Sequence, residues 1–450
     1  YKSDAFIGDT GQVIVLGGKY EDEYGEYYFY NDLTYMFIRA IAELKLYEPK
    51  IVLRISNETP RDLIELALET ISNGISNIMF SNDEVVIDKM VEFGYEKGDA
   101  TNYSVSKYYG PSTVGKGLEQ NNMACISFLK PLNEFFDNET PQMLDMLENY
   151  GELFNSYKYY LKKEVESLIE TFDDIEWNED PLLSLFIDDC NDNQLDISKG
   201  GAKYNHYGIT TVALENTVNS LYNIKKLVFD DKKYTLIDLN KMRKNNFKKD
   251  KYQDVYNILR NMKPCFGMDD REIINITNDV IQLLEDCLKD YTNEFGGKIK
   301  FGLSNSSYMF LDDEISASFD GRKDVEPFNP YISLDTSKDF TEVLRFASKI
   351  DLDRCKFNGN VIDLIFAPNF IRNHFDELTD FIISSIQLGF FQMQINVVSS
   401  KTLIEAKEEP ETHPNLIVKF CGFSTYFNDL PKGHQILLIN RALKNEGNRF

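Results

Sequence analysis

A chain of 450 residues with 42% hydrophobic side chains can bury a large core, and 73 acidic against 48 basic residues leave a net charge of −25. That sign argues against nucleic acid or anionic membrane as a partner, because phosphates attract lysine and arginine, and no run nears the 18 apolar residues a membrane helix needs. Six cysteines (125, 190, 265, 287, 355 and 421) stand singly with no Cys-x-x-Cys pair, which argues against a disulfide framework or zinc site and for reduced thiols in a cytoplasm.

The opening Tyr1-Lys2-Ser3-Asp4 has neither the basic nor the apolar region of a signal peptide, and the missing initiator methionine suggests an excised or processed piece. Ile51-Val52-Leu53-Arg54-Ile55 is a compact buried-strand candidate. Thr59 can cap the helix that follows, Pro60 suits its first position, and Asp62 favours its positive end. Leu63, Leu66, Ala67 and Ile71 share one face and Gly74 ends it, before a second strand at Asn77 to Phe80. This is a strand–helix–strand unit. Residues 143–170 repeat apolar side chains at helical spacing, and the acidic stretch Asp173 to Asp180 reads as a solvated connection. A helix is expected from about Leu214 to Val228, and another from Phe375 to Gln387, stopped by Gly389. Phe391 to Val398 alternates apolar and polar side chains, as a half-buried strand does. The alternation of strands with longer helices predicts an α/β architecture. In Leu416-Ile417-Val418-Lys419-Phe420-Cys421-Gly422-Phe423-Ser424-Thr425-Tyr426-Phe427, turn statistics alone give a turn glycine beside a strand.

That block, followed by Gln435 and the Ile436 to Arg441 run, resembles the radical-bearing loop of glycyl radical enzymes, the group that includes pyruvate formate-lyase. Other segments are similar to the family's in the family's order. They are Gly8 to Gly18, Asn82-Asp83-Glu84-Val85-Val86-Ile87, Gly200-Gly201-Ala202-Lys203-Tyr204-Asn205, Asn219-Ser220-Leu221 with Ile224 to Phe229, Asp320-Gly321-Arg322-Lys323, Gln394-Ile395-Asn396-Val397, and Leu403 with Ala406. The resemblance implies that Gly422 carries a stable backbone radical. A Cα radical delocalises into the flanking amides only when planar, and a Cβ would crowd it; glycine has none. It also implies a ten-stranded α/β barrel built from two five-stranded halves, inside which the glycine loop meets a cysteine loop. Only 107 residues precede the position of that cysteine loop, so the chain is expected to be the carboxyl-terminal part of such a barrel. On this reading residues 1–325 are the incomplete barrel domain and residues 326–450 the glycyl radical domain.

The sequence departs from the family where the chemistry is expected. Many members carry Gly-Cys-Val-Glu-Pro in the cysteine loop, the cysteine forming the thiyl radical and the glutamate acting as acid or base. Here the aligned stretch is Lys107-Tyr108-Tyr109-Gly110-Pro111, so Tyr108 takes the cysteine position and Gly110 the glutamate position; Ser112, Gly115 and Lys116 keep the register. A thiol is intrinsically reactive, whereas a phenoxyl radical abstracts carbon-bound hydrogen poorly. Lys419 stands where arginine is usual and cannot reproduce bidentate guanidinium contacts. Phe423 stands where tyrosine is usual, and Met268 where asparagine is. Cys125 is a candidate substitute thiol, set against the commoner reading of a buried small hydrophobe. Cys421 adjoins Gly422, where small residues also serve packing. His206 is either a base or a satisfied structural histidine.

Two readings follow. One is a divergent lyase or dehydratase acting on a small molecule, with no permanently bound cofactor or metal. Its radical would be installed by a separate iron–sulfur activase that uses S-adenosylmethionine, and the loop would have to leave the barrel for that event. The other is a catalytically degenerate scaffold or regulatory subunit, or one paired with a chain supplying the missing half-barrel. A third, a radical-domain donor repairing a damaged enzyme, fits a chain of this length poorly. A homodimer is expected in either of the first two cases.

Overall fold

The computed structural model describes residues 13–45, 49–105, 109–304, 314–328, 331–333, 339–420 and 423–445. Tyr1 to Gln12, Lys107, Tyr108, Cys421 and Gly422 lie outside them. Strand β1 (Val13–Gly17) leads through the hairpin β2 (Lys19–Asp22) and β3 (Gly25–Tyr28) into helix α1 (Asp32–Leu44). Then come β4 (Lys50–Ile55), α2 (Arg61–Ser72), β5 (Ile78–Asn82) and α3 (Asp83–Phe93). The short strands β6 (Tyr103–Val105) and β7 (Pro111–Thr113) precede β8 (Gln120–Ser127), α4 (Tyr150–Glu170), β9 (Tyr207–Val212), α5 (Leu214–Ile224), α6 (Arg271–Leu288) and β10 (Ile299–Gly302). The last part holds β11 (Ile332–Ser333), β12 (Val361–Phe366), α7 (Phe375–Leu388), β13 (Gln392–Val397), the hairpin β14 (Ile417–Phe420) and β15 (Phe423–Tyr426), and α8 (Lys432–Asn445).

The strand–helix–strand unit of residues 50–82 forms as expected, with every residue of β4 and β5 buried, as in parallel sheets covered on both faces. Its helix starts differently. Pro60 is the N-cap and Arg61 the first helical residue. The Thr59 hydroxyl accepts from the Ser56 amide and donates to the Tyr30 hydroxyl, both at 2.8 Å, so it pins the loop instead of capping. Residues 143–170 are not one helix: Pro141–Asp145 and α4 are separate, and Asn149 caps the latter through the Glu152 amide. α5 stops at Ile224 and continues as a π-helical turn, Lys225–Asp230. Helix α7 ends at Gly389, left-handed at φ +90°, as the sequence suggests.

Among the described residues the strands form a six-stranded sheet, in the order β1-β4-β5-β13-β12-β11, and a three-stranded parallel sheet, β10-β9-β8. Neighbours in the larger sheet are parallel except for the antiparallel β5–β13 junction, so two parallel halves meet there running in opposite directions. Segments before and after residue 325 thus share one sheet. The three-stranded sheet joins the approach to β12: Phe301 donates its amide to the Cys355 carbonyl at 2.7 Å, and Leu303 to that of Gly359 at 3.0 Å.

Arg54 of β4 and Asp83, at the start of α3, form a buried ion pair at 2.8 Å. The guanidinium lies 4.0 Å from the Tyr103 ring, whose hydroxyl donates to Asp83 at 2.7 Å. Burial works against the charge on Arg54, but Asp83 and Tyr103 outweigh it and raise its pKa. Gly17 and Gly18 sit at φ +70° and +95°, and a Cβ on Gly18 would fall 2.6 Å from the Arg54 Nε. Only glycine suits both the conformation and the approach.

Candidate active site

The expected half-buried strand at 391–398 is corrected by β13. Gln392, Gln394 and Asn396 are as buried as the apolar residues between them. Their shared face looks not onto water but onto a buried polar network. The register places Gln392 beside Ser81 of β5, and Gln394 beside Asp363 of β12. Asp363 accepts from the Asn396 amide at 2.8 Å and from Arg441 Nη1 at 3.0 Å, and its carbonyl accepts from Arg441 Nη2 at 3.2 Å. Arg441 lies on α8, so the carboxyl-terminal helix is tied to this face. Gln435, six residues earlier on the same helix, donates to the carbonyls of Phe427 and Leu430 at 3.2 and 3.0 Å.

The β14–β15 hairpin approaches the same face. Its register runs from Ile417 opposite Tyr426 to Phe420 opposite Phe423, which leaves Cys421-Gly422 as the connection. Lys419 is buried, and its amide donates to the Asn396 Oδ1 at 3.2 Å. The Phe423 backbone belongs to β15.

A second finger comes from β6 and β7, paired antiparallel from Tyr103 opposite Thr113 to Val105 opposite Pro111. The sequence between these strands includes Tyr108, which lies outside the described residues. The next residue, Tyr109, is buried at φ +65°, a region costly for a bulky side chain. It is held on both sides: its hydroxyl donates to Gln394 Oε1 at 2.8 Å, and its carbonyl accepts from Gln392 Nε2 at 3.1 Å. Tyr109 and Lys419 therefore grip Gln394 and Asn396, same-face neighbours about 7 Å apart along β13.

The far arm of the finger is anchored from behind. Lys300, on β10, donates to the Pro111 carbonyl at 2.7 Å, to Glu119 at 2.8 Å and to the Tyr95 hydroxyl at 3.2 Å. Glu119 in turn accepts from the Thr113 hydroxyl at 3.2 Å. Burial lowers the Lys300 pKa, and Glu119 opposes that shift. Asn121, on β8, donates to the Gly110 carbonyl at 3.2 Å and the Ser112 hydroxyl at 2.7 Å.

Gly110 has no room for the side chain usual there. An ideal Cβ would lie 2.5 Å from Asn358 Oδ1 and 2.8 Å from the Asn121 amide, and both asparagines are pinned by hydrogen bonds to backbone. Gly110→Ala should lose about 1–3 kcal/mol through overpacking, measured as a lower urea midpoint at unchanged m. Gly110→Glu should likewise lower stability and not restore an acid–base group.

Of the other candidates, Cys125 lies on β8 opposite Thr210 of β9, in the three-stranded sheet. His206 accepts the Lys298 amide on Nδ1 at 3.1 Å and packs on Phe93 and Tyr95. Burial lowers its pKa to about 4, so it is neutral and satisfied, as a structural histidine is. Met268 donates its amide to the Cys265 carbonyl at 3.1 Å. Lys300, Glu119 and Asp363 are not among the sequence candidates. For Lys300 and Asp363 the available signal was a lone charge in an apolar strand, as in Ile-Lys-Phe-Gly and Val-Ile-Asp-Leu-Ile-Phe; Glu119 carried none.

The family profile described as Pyruvate formate lyase-like matches residues 2–311, and the one described as Glycine radical matches residues 326–428. The chain is 26% identical to trans-4-hydroxy-L-proline dehydratase of Clostridioides difficile, over 92% of its own length and 54% of that protein's. It is 27% identical to isethionate sulfite-lyase of Nitratidesulfovibrio vulgaris, over 92% and 52%. It superposes on the glycerol-bound B12-independent glycerol dehydratase of Clostridium butyricum with a TM-score of 0.88 at 27% identity, covering 96% of this chain and 56% of that one. The chain thus spans about half the length of the relatives it matches. No described helix is long and apolar enough to cross a membrane.

Proposed function

The chain belongs to the pyruvate formate lyase-like family, and from that premise we propose that it stores a radical at Gly422 for a lyase or dehydratase acting on a small hydroxylated molecule. One observation carries the reading. The glycine hairpin and the Tyr108 finger, far apart in sequence, fasten to adjacent polar residues of one buried strand, through Lys419 to Asn396 and Tyr109 to Gln394. Hydroxyproline, isethionate and glycerol, named for the relatives, each combine a short carbon skeleton with a hydroxyl group, which supports the substrate class.

The surroundings suit a radical that must be kept from water. Val418, Lys419, Phe427 and Leu438 are buried about the hairpin, and a dry enclosure prevents side reactions. When installed, the radical supplies a one-electron oxidant able to take a hydrogen atom. The chain's own residues do the rest by position. Asn396 fixes the strand entering Cys421-Gly422, and Gln392 with Gln394 fixes the residue after Tyr108. Tyr108 stands at the hydrogen-relay position, Gly110 leaves that finger without its usual acid–base group, and Cys125 is the alternative thiol. A cytoplasmic activase using S-adenosylmethionine and an iron–sulfur cluster would reach Gly422 after the hairpin leaves Asn396. Residues 326–450 would move as the glycyl radical domain against residues 1–325, in a homodimer.

Turnover separates the relay candidates. With glycerol, hydroxyproline or isethionate and the activase, Tyr108→Phe should abolish product formation, whereas Cys125→Ala should keep it. Unchanged turnover in Tyr108→Phe would remove Tyr108 from the relay.

A further inference from the structure

Helix α8 stands over a cavity of about 690 Å³, within the range of clefts that take a ligand. The lining on α8 runs from Gly433 to Lys444, and the facing wall comes from α5 and from residues between 259 and 265 and between 320 and 327. Gly433 meets that wall closely, since a Cβ there would lie 3.3 Å from Pro327, and Arg441 fastens the helix to Asp363 farther along. The amide side chains of α5 are spent within the wall. Asn216 donates to Asp320 at 2.6 Å, Asn219 accepts the Phe266 amide at 2.8 Å, and Asn223 donates to the Leu259 and Phe319 carbonyls at 3.0 Å. Apolar side chains face the space from both sides, Leu259, Met262 and Pro327 opposite Ile436 and Leu443. Ile436 and Leu443 are seven residues apart on one face of α8, and both are more than 40% exposed.

We propose that the chain's own residues Glu446-Gly447-Asn448-Arg449-Phe450 fold back from α8 into this cavity as a strap, with Phe450 seated between Met262 and Ile436. These five follow α8 directly and lie outside the described residues. Their reach is sufficient: five extended residues span about 17 Å, and α8 rises about 14 Å from Ile436 to Asn445. Their sequence suits a reversal, because Gly447 stands two residues past the helix end, where a left-handed glycine commonly turns the chain. Their charge suits the walls. Arg260, Lys263, Arg441 and Lys444 face Glu215, Asp320 and Glu326, a nearly even balance that favours neither a strongly anionic nor a strongly basic occupant. Glu446 and Arg449 cancel in the same way, and Phe450 supplies the apolar anchor. The inference goes beyond the radical reading and does not depend on it. The two meet along one path: Arg441 holds Asp363, Asp363 holds Asn396, and Asn396 holds the Lys419 amide. A strap across α8 would therefore slow departure of the glycine hairpin.

Cys265 lines the cavity, so its alkylation by N-ethylmaleimide, mapped by mass spectrometry, reports whether the space is covered. Deleting residues 446–450 from the 450-residue chain should speed that reaction at least about tenfold, as loss of a local closed state does. Cys287 on α6, half-buried like Cys265, should react as before. Phe450→Asp should match the deletion, and Phe450→Leu should keep the protection. Benzoylphenylalanine placed at position 450 should cross-link on irradiation to Leu259, Met262 or Ile436 of the same chain. Unchanged alkylation after the deletion, equal acceleration at Cys287, or cross-links outside the cavity overturn the proposal. So does a dimer by light scattering that Ile436→Glu dissociates, since a second copy would then fill the space. Gly422→Ala should leave every rate unchanged, so failure of the radical reading and failure of this one are distinguishable.

Discussion

Lys300→Met should destabilise the chain by about 3–5 kcal/mol, because it strands the Glu119 carboxylate without its partner in the interior. Neither side chain of the pair has more than 2% of its surface exposed, so water cannot take over. The lost ammonium also releases the Pro111 carbonyl and the Tyr95 hydroxyl, which leaves further buried polar atoms unpaired. Urea denaturation should show the midpoint fall at nearly constant m, since the surface exposed on unfolding is unchanged. Replacing both partners, Lys300→Met with Glu119→Gln, should recover much of the loss, because the stranded charge has gone. A single variant as stable as the parent would show that the pair does not anchor the finger.

Asp363→Ala should have a local effect of similar size. Asp363 receives Arg441 from the carboxyl-terminal helix and Asn396 from β13, and the Arg441 guanidinium would stay buried without that carboxylate. A penalty of about 3–5 kcal/mol at such a pair falls mainly on the element that can leave, namely α8 with the β14–β15 hairpin. Amides of β14 and β15 should then exchange about a hundredfold faster or more, while those of β9 barely change, since openings differ in free energy across a structure. Uniform acceleration in both places would mean that Asp363 supports the whole core and not the docking of the hairpin.

How much of this was legible in the sequence depended on whether a signal was local. The near-continuous apolar runs at 51–55 and 77–80, and Gly389 after α7, reported their own structure. Thr59 had the right chemistry for a cap, but tertiary contacts with Ser56 and Tyr30 took its hydroxyl. The alternation in β13 was correctly periodic, yet period two cannot distinguish a solvent face from a polar interior, so Gln392 and Gln394 were placed against water. Gly110 showed as a lost glutamate; that Asn121 and Asn358 fill the space is a three-dimensional fact. Tyr109 carried no sequence signal, because its importance comes from a left-handed backbone and a partner almost three hundred residues away. The order of the resembling segments was the strongest signal, and it pointed to the family before any contact was known.

The central claim concerns Gly422 and is best met by electron paramagnetic resonance on the chain after anaerobic incubation with its activase and S-adenosylmethionine. A glycyl-type doublet, present in the parent and absent in Gly422→Ala, is the predicted result. No doublet in the parent, or the same signal persisting in Gly422→Ala, would contradict it.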